Sequence, residues 1–120
     1  MPTKILVVDD NPDGLELLEA LLTLEGFAVV SAEGGRQALN LARTELPQLI
    51  ITDIRMPGLN GIELIRLLRN LPEFATRPII ALTANVEAKS DAAEAGANSV
   101  LIKPVLVDTL LNTVASLLNG

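Results

Sequence analysis

Five short apolar segments recur along the chain, and each is followed by a stretch whose apolar residues return every three or four positions. The apolar segments lack the polar alternation of a half-exposed strand, which is typical of strands buried on both faces. They lie at residues 5–8, 28–32, 49–52, 78–83 and 99–103. The periodic stretches predict helices at residues 12–25, 35–46, 61–69, 87–95 and 107–118.

The alternation of strand and helix predicts an α/β fold. Strands that are linked through helices run parallel, and right-handed crossovers place the helices on both faces of the sheet. With 120 residues and no linker or internal repeat, the chain is expected to form a single domain over residues 1–120. We therefore predict a doubly wound parallel sheet of five strands.

The buried faces of the first two helices are predicted from their leucines and alanines. On the first helix, Leu15, Leu18 and Leu22 define the apolar stripe, and further leucines are expected to widen it. These further leucines are Leu17, Leu21 and Leu24. On the second helix, the residues predicted to be buried are Ala38, Leu39, Ala42 and Leu46.

The composition restricts the chemistry available to the chain. It contains no Cys and no His, which excludes a thiolate metal site and the commonest general base. Any metal must be bound by oxygen, which favours Mg²⁺, Mn²⁺ or Ca²⁺.

The net charge of -6 argues against nucleic acid as a partner of this domain, because affinity for nucleic acid depends on cationic side chains that contact phosphate. No segment has the pattern of a membrane span or a signal peptide, so we expect a cytoplasmic protein.

Ionisable and hydroxyl side chains fall at the ends of four predicted strands. The first strand is followed by Asp9 and Asp10, and the third by Asp53. The fourth ends at Thr83 and the fifth at Lys103. Because the carboxyl ends of parallel strands meet at one edge of the sheet, these five side chains are expected to share one crevice.

Three carboxylates in one crevice need a counter-charge. Two like charges about 4 Å apart repel by about 4 kcal/mol at an effective dielectric constant near 20. Lys103 supplies one positive charge, and Mg²⁺ would supply more. We predict that Asp10 and Asp53 bind Mg²⁺ directly, with the backbone carbonyl of Arg55 as a third ligand and Asp9 acting through water.

This set of residues suits phosphoryl transfer to a carboxylate. Asp53 is the predicted nucleophile because it stands alone on a central strand, and an Asp can form an aspartyl phosphate. The metal and Lys103 would neutralise charge on the transferred group, and Thr83 would donate a hydrogen bond to it. Ala84 is small and would leave room for the group. Taken singly, each residue has a simpler interpretation, as a turn residue, a helix cap or a solvated strand end.

Four segments closely resemble the receiver domain of two-component response regulators. Residues 7–11 resemble its acidic pair, and residues 53–61 its phosphoacceptor segment. Residues 82–84 resemble its switch strand, and residues 96–97 with 103–104 its lysine segment. The similarity runs through the whole chain in order, and the four motifs agree in spacing as well as in residue type.

The resemblance implies a flavodoxin-like fold and a set of functional residues. It implies Mg²⁺ at Asp9, Asp10 and Asp53, and phosphorylation of Asp53 by a sensor histidine kinase or a histidine phosphotransfer protein. It also implies that Thr83 and Lys103 contact the phosphoryl group, and that the domain catalyses only its own phosphorylation and dephosphorylation. A conformational change would then signal to a downstream effector domain or protein. The resemblance further implies a cis peptide bond between Lys103 and Pro104.

The chain departs from the family pattern in two places. The second switch residue of the family is usually aromatic, and the corresponding residue here is Val100, which has no ring to move between exposed and buried positions. The segment from Val86 to Ala95 is about half a turn shorter than usual. We therefore expect an altered or weakened response on the surface that this segment forms.

Three other functions are compatible with parts of the pattern. An Asp-dependent phosphatase needs a second acid two residues after its nucleophile, where this chain has Arg55. A flavin or nucleotide site would need glycines and amide donors after the first strand, where this chain has two acids. A degenerate receiver that acts only through protein contacts is the third alternative, and Val100 is the residue that favours it.

Overall fold

The computed structural model describes residues 2–119, which form five strands and five helices in alternation. The strands are β1 (Lys4–Val8), β2 (Ala28–Ala32), β3 (Leu49–Asp53), β4 (Ile79–Thr83) and β5 (Ser99–Ile102). The helices are α1 (Pro12–Leu24), α2 (Gly35–Glu45), α3 (Gly61–Arg69), α4 (Lys89–Ala95) and α5 (Val107–Asn119). Two short 3₁₀ turns add to these, at Pro72–Phe74 and Val86–Ala88.

The strands form one parallel sheet in the order β2-β1-β3-β4-β5. Apolar residues on its two faces pack into two separate clusters, one beneath α1 and α5 and the other beneath α2, α3 and α4. Every residue of β3 and β4 is buried, which explains why their sequences show no polar alternation. The predicted doubly wound fold is confirmed, and β3 lies at its centre.

Local sequence signals define the helix ends near the sheet's carboxyl edge. The side chain of Asn11 accepts hydrogen bonds from the backbone N–H groups of Asp13 and Gly14, and Pro12 occupies the first position of α1. At the start of α3, Asn60 and Glu63 form a reciprocal capping box with bonds of 2.9 and 3.0 Å. Asn11 directly follows Asp10, and the Gly61 N–H donates to the Ile54 carbonyl at 2.9 Å, so both helices begin next to the acidic residues at this edge.

The predicted apolar face of α1 is wider than the face that packs. Leu15, Leu18 and Leu22 are buried as predicted, whereas Leu17 is 61% exposed and Leu24 is 84% exposed. The sheet contacts only one side of this helix, and at 3.6 residues per turn Leu17 and Leu24 lie roughly opposite that side, whereas Leu21 lies at its border and is half-buried. The prediction that Leu17 and Leu24 belong to the buried face is therefore wrong.

Leu46 is a second incorrect burial prediction. It lies beyond α2 with φ of 48°, in the left-handed region, and is 44% exposed. The helix ends one residue earlier than the periodicity suggested, and the chain reverses direction at Leu46 before Pro47. Side chains at such a reversal point away from the helix face, which is why Leu46 does not join Ala38 and Ala42 in the core.

Several element boundaries differ from the prediction by one or two residues, and those near the carboxyl edge of the sheet concern the site. α4 begins at Lys89, because residues 86–88 form a 3₁₀ turn instead of the first α-helical turn. Strand β5 ends at Ile102, which places Lys103 one residue beyond it. Asp53 is the last residue of β3 and so remains inside the strand.

Candidate functional site

The carboxyl edge of the sheet brings together the five side chains that the sequence placed at strand ends. Asp9, Asp53 and Thr83 are buried although they are polar, with exposed fractions of 4%, 6% and 4%. Asp10 is exposed at the rim, and Lys103 reaches Asp53 from beyond β5. The chain thus withdraws two carboxylates from water at one point, which is unfavourable unless the charge is balanced.

The three carboxylates among these five side chains have the arrangement of a metal site. Asp9, Asp10 and Asp53 each offer one oxygen, and the three oxygens all lie within 4.8 Å of one another. Oxygens on opposite sides of a bound Mg²⁺ are about 4.2 Å apart, since each Mg–O distance is about 2.1 Å. The buried Oδ1 of Asp53 is contacted by the Lys103 ammonium but receives no hydrogen bond of ordinary geometry from residues 2–119. The residues present therefore fit a hard divalent cation.

Lys103 forms an ion pair with Asp53. Its Nζ lies 2.5 Å from Asp53 Oδ1, and its own side chain is 36% exposed. Burial, together with the nearby charge of Asp9, raises the pKa of Asp53 to about 6, although Lys103 acts in the opposite direction. A single ammonium group is thus insufficient to offset the burial of this carboxylate. The imbalance is what a divalent cation or a strongly polar ligand would relieve.

The Thr83 hydroxyl is held loosely as a donor. The backbone N–H of Asn85 donates to Thr83 Oγ1 at 3.0 Å, whereas the donor contact of the hydroxyl itself, to the Asn85 carbonyl, is 3.5 Å long. A bond of that length is weak, so the hydroxyl proton can be redirected towards another acceptor at little cost. Thr83 therefore faces the site with its donor capacity largely unused.

An open cavity of about 390 Å³ lies between these groups, large enough for a small anion. Its lining comprises Asp53, Arg55, Leu82, Thr83, Ala84, Asn85 and Lys103. The small side chain of Ala84 leaves this space open, as the sequence predicted. Arg55 presents an exposed side chain at the mouth, so the position where a phosphatase would need an acid carries a cation instead.

Two glycines support the acidic site, and neither was predicted from the sequence to do so. A side chain at Gly61 would collide with the backbone carbonyl of Asp53 and would come within 2.8 Å of Ile54 Cα. A Cβ at Gly14 would come within 2.5 Å of Asp9 Oδ2. The signal available in the sequence was a glycine in the first turn of a helix, where the residue is otherwise unfavourable.

The β5–α5 connection has the geometry that the resemblance implied. The Lys103–Pro104 peptide bond is cis. The Lys103 backbone N–H donates to the Thr83 carbonyl at 2.8 Å, which ties the end of β5 to the end of β4. Val100 is half-buried and packs against the cluster beneath α2, α3 and α4. The predicted ligand role of the Arg55 carbonyl stays a prediction.

Comparison with known proteins identifies the class to which this fold and site belong. The family model of the response regulator receiver domain matches residues 5–115. The chain belongs to this family, and it is a receiver domain of two-component signalling. Receiver domains typically have no catalytic activity beyond their own phosphorylation.

Individual relatives agree over the full length of the chain. Protein PilH of Pseudomonas aeruginosa is 39% identical over 119 residues, with 98% of each chain covered. A putative response regulator of Chloroflexus aurantiacus superposes with a TM-score of 0.96 at 35% identity, with both chains fully covered. A third relative is the receiver domain of the sensor histidine kinase PA1611 of Pseudomonas aeruginosa, with a TM-score of 0.93 at 31% identity and full coverage of both chains. That structure was solved with a magnesium ion coordinated in its active-site cleft.

Among residues 2–119, no helix combines the length and apolar character that crossing a membrane requires.

Proposed function

We propose that Asp53 accepts a phosphoryl group from a sensor histidine kinase or a histidine phosphotransfer protein, and that the modified domain signals to a downstream effector. The observation that carries this proposal is the buried Asp53 carboxylate, paired with Lys103 and facing a cavity next to Asp9 and Asp10. Mg²⁺ would be held by Asp9, Asp10 and Asp53, with the Arg55 carbonyl as a further ligand. When bound, the ion would offset carboxylate charge and stabilise charge on the transferred group.

The side chains of the site have separate roles in this transfer. A carboxylate oxygen of Asp53 attacks phosphorus, the bond from phosphorus to the donor histidine nitrogen breaks, and the imidazole leaves with its electron pair. Lys103, already paired with Asp53, provides positive charge for the phosphoryl oxygens. The Thr83 hydroxyl, whose hydrogen bond to the Asn85 carbonyl is weak, donates a hydrogen bond to a phosphoryl oxygen. Asp53 is itself only 6% exposed, so its carboxylate has little direct contact with solvent.

Intact mass spectrometry after incubation with acetyl phosphate tests the proposal. We expect a single phosphoryl adduct that requires both Mg²⁺ and Asp53, and that is lost in Asp53→Asn. The matched control is Asp13→Asn, because Asp13 is an exposed acid in the first turn of α1. Mass is the appropriate readout because the chain contains no Trp or Tyr for a fluorescence assay. A folded protein that gives no adduct under any of these conditions would refute the proposal.

Val100 favours one alternative function, a receiver that acts only through protein contacts. Such a protein would keep the fold and the acidic residues without using Asp53 chemically. The same experiment separates the two functions, since the alternative predicts no adduct. A third outcome, continuous phosphate release from small phosphoesters, would instead indicate the phosphatase that Arg55 argues against.

A further inference from the structure

The segment that leads from β4 into α4 is exposed from Ala84 to Glu87, and Ala88 packs partly against the cluster beneath α2, α3 and α4. None of the residues in the 3₁₀ turn Val86–Ala88 is buried, and Val86 is 65% exposed. Ala88, which precedes the first turn of α4, makes no side-chain capping bond. Asn85 connects this turn to the site, because its N–H donates to Thr83 and its side chain accepts from Glu87 N–H at 3.0 Å. Movement of Thr83 would therefore be passed directly to a weakly packed turn.

The opposite end of α4 is held by Arg69, the last residue of α3. The guanidinium donates to the Gly96 carbonyl from Nε at 3.0 Å and from Nη2 at 2.7 Å. Nη2 also donates to Asn98 Oδ1 at 2.7 Å. Nη1 donates to the carbonyls of Phe74 and Arg77, both at 2.7 Å. One side chain thus joins the ends of α3 and α4, the start of β5 and the loop before β4.

The acceptors of Arg69 are themselves fixed. Asn98 Oδ1 also accepts the Ile79 N–H at 2.9 Å, and the Asn98 N–H donates to the Ile79 carbonyl at 2.8 Å. Gly96 has φ of 125°, and a Cβ there would come within 2.7 Å of Arg69 Cγ. In residues 2–119, the ion pairs are Lys4–Glu45 and Lys103–Asp53, so Arg69 bonds to oxygens of the fold without a carboxylate partner.

We propose that Arg69 is an anchor that fixes the carboxyl end of α4 and the start of β5, so that α4 pivots from its amino-terminal end when Asp53 is phosphorylated. The carboxyl end of α4 is held by bonds to other elements, whereas the bonds at its amino-terminal end lie within the local segment Thr83–Ala88. A pull on the amino-terminal end would therefore make the helix pivot about its carboxyl end. The pivoting of α4 on phosphorylation rests on the proposed function of Asp53. The anchoring of the carboxyl end of α4 by Arg69 is present in the unmodified protein and does not depend on that function.

Hydrogen exchange measured by mass spectrometry tests the anchor in the unmodified protein. The reporters are the amides of Ala97 and Asn98, which donate to backbone carbonyls, and the reference is the exchange of central strand β3. In Arg69→Met, we expect these two amides to exchange on the order of tenfold faster relative to the reference, with no change in residues 86–88. Arg66→Met is the matched control, because Arg66 is an exposed arginine one turn earlier on α3.

A purely structural role of Arg69 would raise exchange throughout the protein, including β3, and that result would overturn the anchor. Equal exchange of Ala97 and Asn98 in Arg69→Met and wild type would also overturn it. If Arg69→Met does not fold, Arg69→Lys replaces it, because lysine keeps the charge but cannot donate to four segments at once.

The phosphorylated wild type gives a second test that needs no variant. After treatment with acetyl phosphate and Mg²⁺, exchange is expected to change in residues 84–91 and to stay unchanged in residues 96–98. A change that extends to residues 96–98, or no change in residues 84–91 of a protein that carries the adduct, would overturn the proposal. A protein that gives no adduct contradicts the proposed function instead, and the test on the unmodified protein still decides whether Arg69 is an anchor.

Discussion

The buried charge of Asp53 makes the metal-free protein less stable at neutral pH than it would be with a neutral side chain. Asp53→Asn removes the charge and keeps the shape of the side chain. We therefore expect the variant to be more stable than the wild type in EDTA at pH 7.5. This result is the opposite of the usual effect of mutating a buried polar residue that has a partner.

The size of the effect follows from the pKa of Asp53. Burial raises it from 3.8 to about 6, and each pKa unit corresponds to about 1.4 kcal/mol. The folded state binds this proton more tightly than the unfolded state, so the stability it contributes is complete below pH 3.8 and is lost as the pH rises through 6. Asp53→Asn should therefore raise the free energy of unfolding by about 3 kcal/mol at pH 7.5 and by less than about 1 kcal/mol near pH 4.

Urea unfolding followed by far-ultraviolet circular dichroism measures this difference across pH 4–8. A gain of about 3 kcal/mol moves the urea midpoint upwards by about 1 to 3 M. The control is Asp91→Asn, which neutralises an exposed acid on α4. Mg²⁺ should stabilise the wild type and leave Asp53→Asn nearly unchanged, because only a ligand of the folded state shifts the equilibrium. If Asp53→Asn is no more stable than the wild type at pH 7.5, or if its advantage does not depend on pH, the reasoning is refuted.

Three further predictions concern other parts of the structure. Leu46→Gly should raise the free energy of unfolding by about 1 kcal/mol, as measured by urea unfolding, because glycine adopts the left-handed conformation without a Cβ clash. A loss of stability would contradict this. Gly61→Ala should lower stability by about 2 kcal/mol and slow adduct formation, whereas Gly34→Ala, which has open space around it at the N-cap of α2, should leave adduct formation unchanged. Because Val100 has no ring, NMR shift changes across residues 84–110 on phosphorylation should be smaller than in receivers with an aromatic residue there, and changes of equal size would disprove this.

Much of the candidate site could be predicted because it depends on the order of elements along the chain. Residues 49–52 are apolar without alternation, so a buried strand ending at Asp53 followed from the local pattern. The parallel arrangement then required Asp9, Thr83 and Lys103 to lie at the same edge as Asp53. The structure brings these residues together as predicted, and their roles in catalysis and metal binding stay predictions.

The burial of individual side chains was predicted less well. Leu17, Leu24 and Leu46 are as apolar as their buried neighbours, yet they are exposed. Whether a leucine is buried depends on which arc of its helix meets the sheet and on where the helix ends, and neither is a property of the residue itself. Gly61 was missed for a related reason, since its close approach to the Asp53 carbonyl arises only when α3 packs against the end of β3.

The sequence by itself determined the class of fold, the edge of the sheet where the candidate site lies and the residues that meet there. These features follow from hydrophobic periodicity and chain order, which are local and are written directly in the residues. Only the tertiary structure decided that Asp53 is buried enough for its pKa to rise to about 6, and that Arg69 bonds to oxygens of Phe74, Arg77, Gly96 and Asn98. Burial and multiple bonding depend on segments far apart in the chain coming together, and no local pattern specifies the distances between them.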